Sequence, residues 1–113
     1  MKKILAAAAV LVSFNAFAAG NIEAGKAAAE KYNCFSCHGK DYNTPIDPSY
    51  PKLAGQHEDY LVLAMTAYKR GGDGANGRGN AIMAAQVKPL SSKDIKDIAA
   101  YLHSLPGSLV LRK

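Results

Sequence analysis

The sequence of 113 residues has no tryptophan and only two cysteines, and aromatic residues make up 8% of it. Two cysteines cannot form the several disulfide bonds that hold small exported scaffolds together. Only 20% of the residues are charged, and acidic residues are mixed among the lysines, so the sequence indicates neither a disordered charged tail nor a dense basic surface for nucleic acid. With 49% hydrophobic residues and this length, it predicts one globular domain.

The single long apolar run, residues 4–12, is too short to span a membrane, which takes about 20 residues. Lys2 and Lys3 precede it, and a small-x-small sequence that ends at Ala18 follows it. This order is typical of a secretory signal peptide, so we predict that residues 1–18 are cleaved after Ala18. An uncleaved N-terminal anchor is the alternative, and it is the weaker one because polar residues interrupt the run.

Cleavage would leave residues 19–113 as the functional domain. It would remove two lysines and lower the formal net charge from +5 to +3. We therefore expect an exported, periplasmic protein without stable membrane insertion and with only a weak electrostatic preference among partners.

Helical spacing of apolar residues and capping residues predicts three main helices and no strand, an all-α fold. The first begins after Asn21 and ends near Asn33, the second covers about 58–69, and the last begins after Ser91 and ends before Pro106. A proline-containing loop over 39–56 and a glycine-rich segment over 71–79 separate them.

The apolar residues at helical spacing predict which side chains face the core. In chain order they are Ile22, Gly25, Ala29 and Tyr32 in the first helix, Leu61, Ala64, Met65 and Tyr68 in the second, and Ile95, Ile98, Ala99, Leu102 and Leu105 in the last.

The strongest chemical signal is Cys34-Phe35-Ser36-Cys37-His38, which has the C-x-x-C-H spacing of covalent haem attachment. Two thiols one helical turn apart can reach the two vinyl groups of one porphyrin, and His38 can then bind the iron. A plain disulfide between the cysteines would leave His38 unexplained. A thioredoxin-like motif needs a βαβ context, and a zinc site would need His57 and His103 from separate elements.

The sixth iron ligand has four candidates: Met65, Met83, His57 and His103. Met65 lies on an apolar helical stripe, where a methionine is usually core filler. Met83 follows the glycine-rich segment, in a stretch that we predict to be non-helical and able to cross the other face of the porphyrin. Met83 therefore ranks first, a histidine second, and an open position third.

The ordered set of motifs resembles the class I c-type cytochromes, most closely the small bacterial periplasmic members of the c4 and c5 group. The residues that carry the resemblance are Gly25, Cys34-x-x-Cys37-His38-Gly39, Pro51-Lys52-Leu53-Ala54-Gly55-Gln56, Asn80-Ala81-Ile82-Met83, Leu90-Ser91 and Ile98-Ala99-Ala100-Tyr101-Leu102.

The resemblance implies the class I cytochrome c fold, in which three main helices and long loops wrap around one covalently bound haem c with its iron. It implies that Cys34 and Cys37 form the thioethers and that His38 and Met83 are the axial ligands. It also implies that the Pro51 carbonyl accepts a hydrogen bond from His38. The first and last helices would cross at Gly25 and Tyr101.

A haem with both axial positions filled has no site for a substrate, so we expect one-electron transfer in a respiratory chain rather than an enzyme. The partners would be a redox donor and acceptor, such as a membrane-bound oxidase or reductase or a periplasmic dehydrogenase. The alternative is a haem-bearing subunit of a periplasmic dehydrogenase complex. Candidates to bond or flank the haem propionates are Tyr50, Tyr60, Tyr68, Arg78 and Asn80.

Overall fold

A computed structural model describes residues 20–72 and 76–109. These residues form five helices and no strand: α1 (Ile22–Lys31), α2 (Phe35–His38), α3 (Glu58–Arg70), α4 (Ala81–Val87) and α5 (Ser92–Ser104). Helices α1, α3 and α5 are the three main helices that the sequence predicts, so the all-α class is confirmed. The predicted signal peptide and its cleavage site lie outside the described residues.

Side-chain caps set the starts of the main helices α1 and α5. The Asn21 side chain accepts a hydrogen bond of 2.9 Å from the backbone N–H of Ala24, which begins α1. At α5 the Ser91 hydroxyl and the Asp94 carboxylate each bind the other residue's backbone N–H at 3.0 Å. Both caps satisfy N–H groups that the helix itself leaves without partners, and both confirm the predicted starts.

The core lies where α5 packs against α1 and α3, and α3 packs in turn against α4. Nearly all of the predicted core stripes are confirmed as buried or partly buried. Ile22 is the exception, because 49% of its surface is exposed. At this end of α1 the backbone itself contacts α5. A Cβ atom added to Gly20 would lie 2.0 Å from the Lys96 carbonyl oxygen. This backbone contact does not depend on the Ile22 side chain.

Helices α1 and α5 touch at Gly25. A Cβ atom placed there would lie 1.9 Å from the Asp97 carbonyl oxygen and 2.9 Å from the Tyr101 Cβ. Only a residue without a side chain allows the two backbones to come this close. The predicted crossing at Gly25 and Tyr101 is therefore confirmed.

Asp97 ties the same two helices together from within the core. Its side chain is 5% exposed and accepts hydrogen bonds from the Asn21 backbone N–H at 2.8 Å and from the Lys93 ammonium. Burial by itself would raise the pKa of Asp97, but the hydrogen bonds from Lys93 and Asn21 outweigh it and hold this pKa below its ordinary value of 3.8. The ionised carboxylate is therefore the form that stabilises the fold.

Met83 lies in a helix, so the prediction of a non-helical stretch around it is wrong. The Asn80 side chain accepts from the Met83 backbone N–H at 3.0 Å and caps the start of α4. Alanines at 81, 84 and 85 favour helix, and Pro89 stops its continuation. The sequence signal for this short helix is the Asn80 cap, which the prediction of a non-helical stretch leaves out.

We predict that Gly25→Ala lowers the free energy of unfolding by about 1–3 kcal/mol, because the added methyl group forces α1 and α5 apart. Urea unfolding of the purified protein measures this. Lys26→Ala, at an exposed position of the same helix, is the control and should change stability by no more than about 0.5 kcal/mol. Equal stability of Gly25→Ala and the parent would contradict the close crossing.

We predict that Asp97→Asn lowers the free energy of unfolding by about 1–3 kcal/mol at pH 7, because it removes a charge-assisted hydrogen bond in the core. A lowered carboxyl pKa stabilises the fold above the unfolded-state value of 3.8, and that contribution is lost as the pH falls through the folded-state pKa. The difference in the free energy of unfolding between the parent and the variant should therefore become smaller in acid. Unfolding curves between pH 7 and pH 3 test this, with Glu30→Gln as an exposed control. A difference in the free energy of unfolding that stays constant over this pH range would contradict the prediction.

Candidate haem site

The two cysteines lie at the junction of α1 and α2. After α1, Asn33 adopts a left-handed conformation with φ of 54°, and the Cys34 backbone N–H donates to the Ala29 carbonyl at 3.1 Å. The His38 N–H then donates to the Cys34 carbonyl at 3.2 Å. This turn places Cys34 and Cys37 one helical turn apart, and both are free thiols.

Cys34 is the cysteine held closer to the core. It is partly buried and packs against the core cluster. Burial raises the pKa of the Cys34 thiol, a backbone hydrogen bond opposes this, and the neighbouring Cys37 adds a smaller upward effect. Cys34 therefore lies on the core side of the pair, beside apolar side chains.

His38 is buried and oriented by one hydrogen bond. Its exposed fraction is 6%, and its Nδ1 lies 2.9 Å from the Pro51 carbonyl oxygen. A carbonyl oxygen can only accept, so Nδ1 is the donor, and in a neutral imidazole with this bond the free lone pair lies on Nε2. The Tyr50 ring lies beside the imidazole, with 6.4 Å between the ring centroids. A neutral imidazole with Nε2 available is the form that binds a metal.

Tyr42 fixes the long loop that brings Pro51 to His38. Its side chain is 2% exposed and meets the Tyr101 ring edge-on at 6.0 Å, and burial raises its pKa. Its carbonyl accepts from the backbone N–H groups of Leu53 and Ala54. Tyr42 is not among the residues predicted from the sequence, although an aromatic residue inside a polar, proline-containing loop is a usable signal for a buried anchor.

The four candidates for the sixth ligand divide clearly by environment. Met65 is 9% exposed and belongs to the core. His57 and His103 are exposed, and the His103 Nδ1 is within 2.7 Å of the Gln56 carbonyl oxygen. Met83 is partly buried against the core cluster, on α4. Met83 is therefore a thioether on the inner side of α4 that is not part of the fully buried core.

The donor set fits a haem c better than a zinc ion. Two free thiols one turn apart, an imidazole with a free Nε2 and a methionine thioether match the thioether bonds and the axial ligands of a c-type haem. Among residues 20–72 and 76–109, no three His, Cys, Asp or Glu side chains come together as a zinc site requires.

A groove of about 620 Å³ lies outside this set of ligands. Side chains of the long loop line most of it, including Pro45, Pro48, Tyr50 and Pro51, with Leu109 from the C-terminal segment. Neither cysteine, nor His38, nor Met83 reaches it. The groove therefore lies on the loop side of Pro51, separate from the cysteine turn and from Met83.

The residues predicted to bond or flank the haem propionates lie in different parts of the structure. Tyr50 lies beside His38, and Asn80 caps α4 through its side chain. Tyr60, Tyr68 and Arg78 form one cluster, in which Arg78 donates to the Tyr60 hydroxyl at 3.2 Å.

A helical fold with this cysteine and histidine turn, and a methionine on a separate helix, defines a c-type haem protein. The profile of the family described as Cytochrome c matches residues 22–106. The chain is 44% identical to a cytochrome c4 of Stutzerimonas stutzeri over 98 residues, which cover 83% of this chain and 45% of that one. It is 34% identical to a thiosulfate dehydrogenase electron acceptor of Thiomonas intermedia, over 96% of this chain and 46% of that one.

A solved structure agrees with the sequence relatives. The crystal structure of reduced cytochrome c4 from Pseudomonas stutzeri superposes with a TM-score of 0.71 at 41% identity and covers 80% of this chain and 48% of that chain. The chain therefore belongs to the cytochrome c family, as a class I member of the c4 group, and its cofactor is a covalently bound haem c. It spans about half the length of the cytochrome c4 relatives that it matches.

We predict that Cys34→Ala/Cys37→Ala is largely unfolded, because the haem supplies much of the interior of so small a domain. Circular dichroism melting of the variant measures this. Ser36→Ala, between the two cysteines, retains both thiols and should give a red, cooperatively melting protein. A cooperative melt of the double variant near the parent's temperature would contradict the prediction.

Proposed function

We propose that the chain is a periplasmic electron carrier that exchanges single electrons with exported redox partners. Its haem c, when bound, supplies a couple between ferrous and ferric iron. The observation that carries the proposal is the His38 imidazole, buried next to two free thiols and held by Pro51 with Nε2 available.

In this proposal each site residue has one task. Cys34 and Cys37 would form the thioether bonds, and His38 would bind the iron through Nε2. Pro51 accepts the Nδ1 proton of His38, which fixes the ring orientation and increases the basicity of the imidazole. Met83 would be a second ligand of the iron through its neutral sulfur, and a thioether ligand raises the reduction potential.

The assignment of Met83 decides between electron transfer and substrate chemistry. If His38 and Met83 both hold the iron, no iron position is left for a small molecule to bind. A partner would then exchange electrons with the bound cofactor in the brief contacts with small interfaces that redox proteins make. This is an outer-sphere carrier rather than an enzyme.

Export and location follow from the first 18 residues, which we propose to be removed after Ala18. No helix within residues 20–72 and 76–109 is long and apolar enough to cross a bilayer. The donor and acceptor are then other exported or membrane-bound redox proteins, among them an oxidase, a reductase or a dehydrogenase of the respiratory chain.

A second candidate function is a haem-bearing subunit of a periplasmic dehydrogenase complex. It is favoured by the similarity to the Thiomonas intermedia protein, whose name describes an electron acceptor of thiosulfate dehydrogenase. Size-exclusion chromatography of protein purified from its native host distinguishes the two. A free carrier elutes alone, whereas a subunit elutes with a catalytic partner in fixed proportion.

We predict that Met83→Ala loses the low-spin absorption features of the parent and has a clearly lower reduction potential, because it loses the thioether ligand. Visible absorption spectra of both redox states and a potentiometric titration measure this. Met65→Leu is the matched control, since it replaces a core methionine with a residue of similar volume and should keep the spectrum. An unchanged spectrum for Met83→Ala, with the change appearing in Met65→Leu or at a histidine, would overturn the assignment.

A further inference from the structure

Asn80 binds two successive backbone N–H groups at the start of α4. Its side-chain oxygen accepts a hydrogen bond from the Met83 N–H at 3.0 Å, and its carbonyl oxygen accepts one from the Ala84 N–H at 2.8 Å. The Asn80 backbone is extended, with φ of −145° and ψ of 114°, as expected for a capping residue just outside a helix. The first turn of α4, which contains Met83, is therefore closed by both the side chain and the backbone of Asn80.

The packing of α4 supports its end better than its start. The helix has seven residues, about two turns, and a helix this short is not stable by itself in water. Val87, its last residue, is buried, whereas Ile82 in the first turn is 54% exposed. The first turn therefore depends more on its cap than the last turn does.

The C-terminal end of α4 also has anchors of its own. The Leu90 N–H donates to the Val87 carbonyl at 3.0 Å, and Leu90 is 3% exposed. The Leu90 carbonyl accepts a hydrogen bond from the Lys69 ammonium of α3. These anchors follow Met83 in the chain, so they do not close the turn in which Met83 lies.

The position of the Met83 side chain depends on this first turn. Met83 is the third residue of α4, and side chains of a helix tilt toward its N-terminus. A methionine side chain has three rotatable bonds, so its own stiffness does not place the sulfur. Opening of the Asn80 cap would therefore release the backbone that carries the thioether.

We propose that Asn80 is a positioning residue for Met83, and that its cap keeps the Met83 thioether in place as an iron ligand against competition from external ligands. The proposal rests on the proposed function, because it requires Met83 to be the sixth ligand. Replacement of a capping side chain by alanine shifts a helix equilibrium by about 2- to 30-fold. We expect loss of the Asn80 cap to favour the state without Met83 on the iron by the same factor.

The test is a titration of the haem-loaded ferric protein with imidazole, followed by visible absorption, because imidazole can take the sixth position only when Met83 has left it. In Asn80→Ala we expect imidazole to bind about 2- to 30-fold more tightly than in the parent. Asn80→Ser keeps an oxygen acceptor of comparable capping strength and should bind imidazole like the parent. Asn76→Ala makes the same substitution at an exposed position before α4 and should also match the parent.

Gly25→Ala separates positioning from general stability. It disturbs the crossing of α1 and α5 and leaves the Asn80 cap intact. Positioning predicts tighter imidazole binding in Asn80→Ala and parent-like binding in Gly25→Ala. An equal increase in both variants would overturn the positioning role.

Two further variants keep the test decisive. Asn80→Gly is milder, because a cap tolerates glycine better than alanine, and it should show a smaller increase if Asn80→Ala does not fold. Met83→Ala lacks the thioether and sets the upper limit of imidazole affinity. Red Asn80→Ala protein that binds imidazole like Asn76→Ala, while Met83→Ala binds it far more tightly, would overturn this inference alone. Equal binding by Met83→Ala and the parent would instead overturn Met83 as the sixth ligand in the proposed function.

Discussion

The hydrogen bond from the His38 Nδ1 to the Pro51 carbonyl connects the two parts of the site that are distant in sequence. On one side is the short helix α2, which presents both thiols and the imidazole. On the other is the long loop before α3, which has no regular structure to hold its shape. Because an imidazole that donates from Nδ1 must offer Nε2 as its free nitrogen, this single bond fixes both the loop and the chemistry of the ring.

The loop can make this bond because it is anchored at several places. Tyr42 is buried against Tyr101 and accepts two backbone hydrogen bonds through its carbonyl. The Ile46 N–H donates to the Cys37 carbonyl, so the loop is also joined to the cysteine turn itself. At its far end the Gly55 N–H donates to the Leu102 carbonyl of α5. The crossing of α1 and α5 therefore supports the site indirectly, since α5 carries Tyr101 and Leu102.

The sequence was most informative where one residue type has one strong physical reason to be present. The cysteine and histidine spacing, the Ser91 and Asp94 capping box, and the helical stripes of α3 and α5 were all predictable from local rules. The crossing at Gly25 was implied by a resemblance, and the close approach of two backbones explains it. Local patterns could not place Ile22, whose exposure depends on how α1 meets α5.

Other features depend on contacts between segments far apart in the chain. Tyr42 is buried because α5 lies across the loop. Asp97 can be buried because the Asn21 backbone N–H, at the start of α1, donates a hydrogen bond to its carboxylate. Neither partner is visible in a window of neighbouring residues. The helix around Met83 is a different case, because the Asn80 cap was present in the sequence and was overlooked. The sequence ranks Met83 first among the candidate ligands from its position in the chain, although Met83 lies in a helix and not in the predicted non-helical stretch.

The most direct test of this account is the mass of the purified protein and of the peptide that contains Cys34 and Cys37. A covalently attached haem predicts a red protein, heavier than its processed polypeptide by one haem, and a peptide from this region that keeps the haem mass after denaturation and protease digestion. A colourless protein with the mass of the bare polypeptide, or a haem that is lost on denaturation, would contradict it.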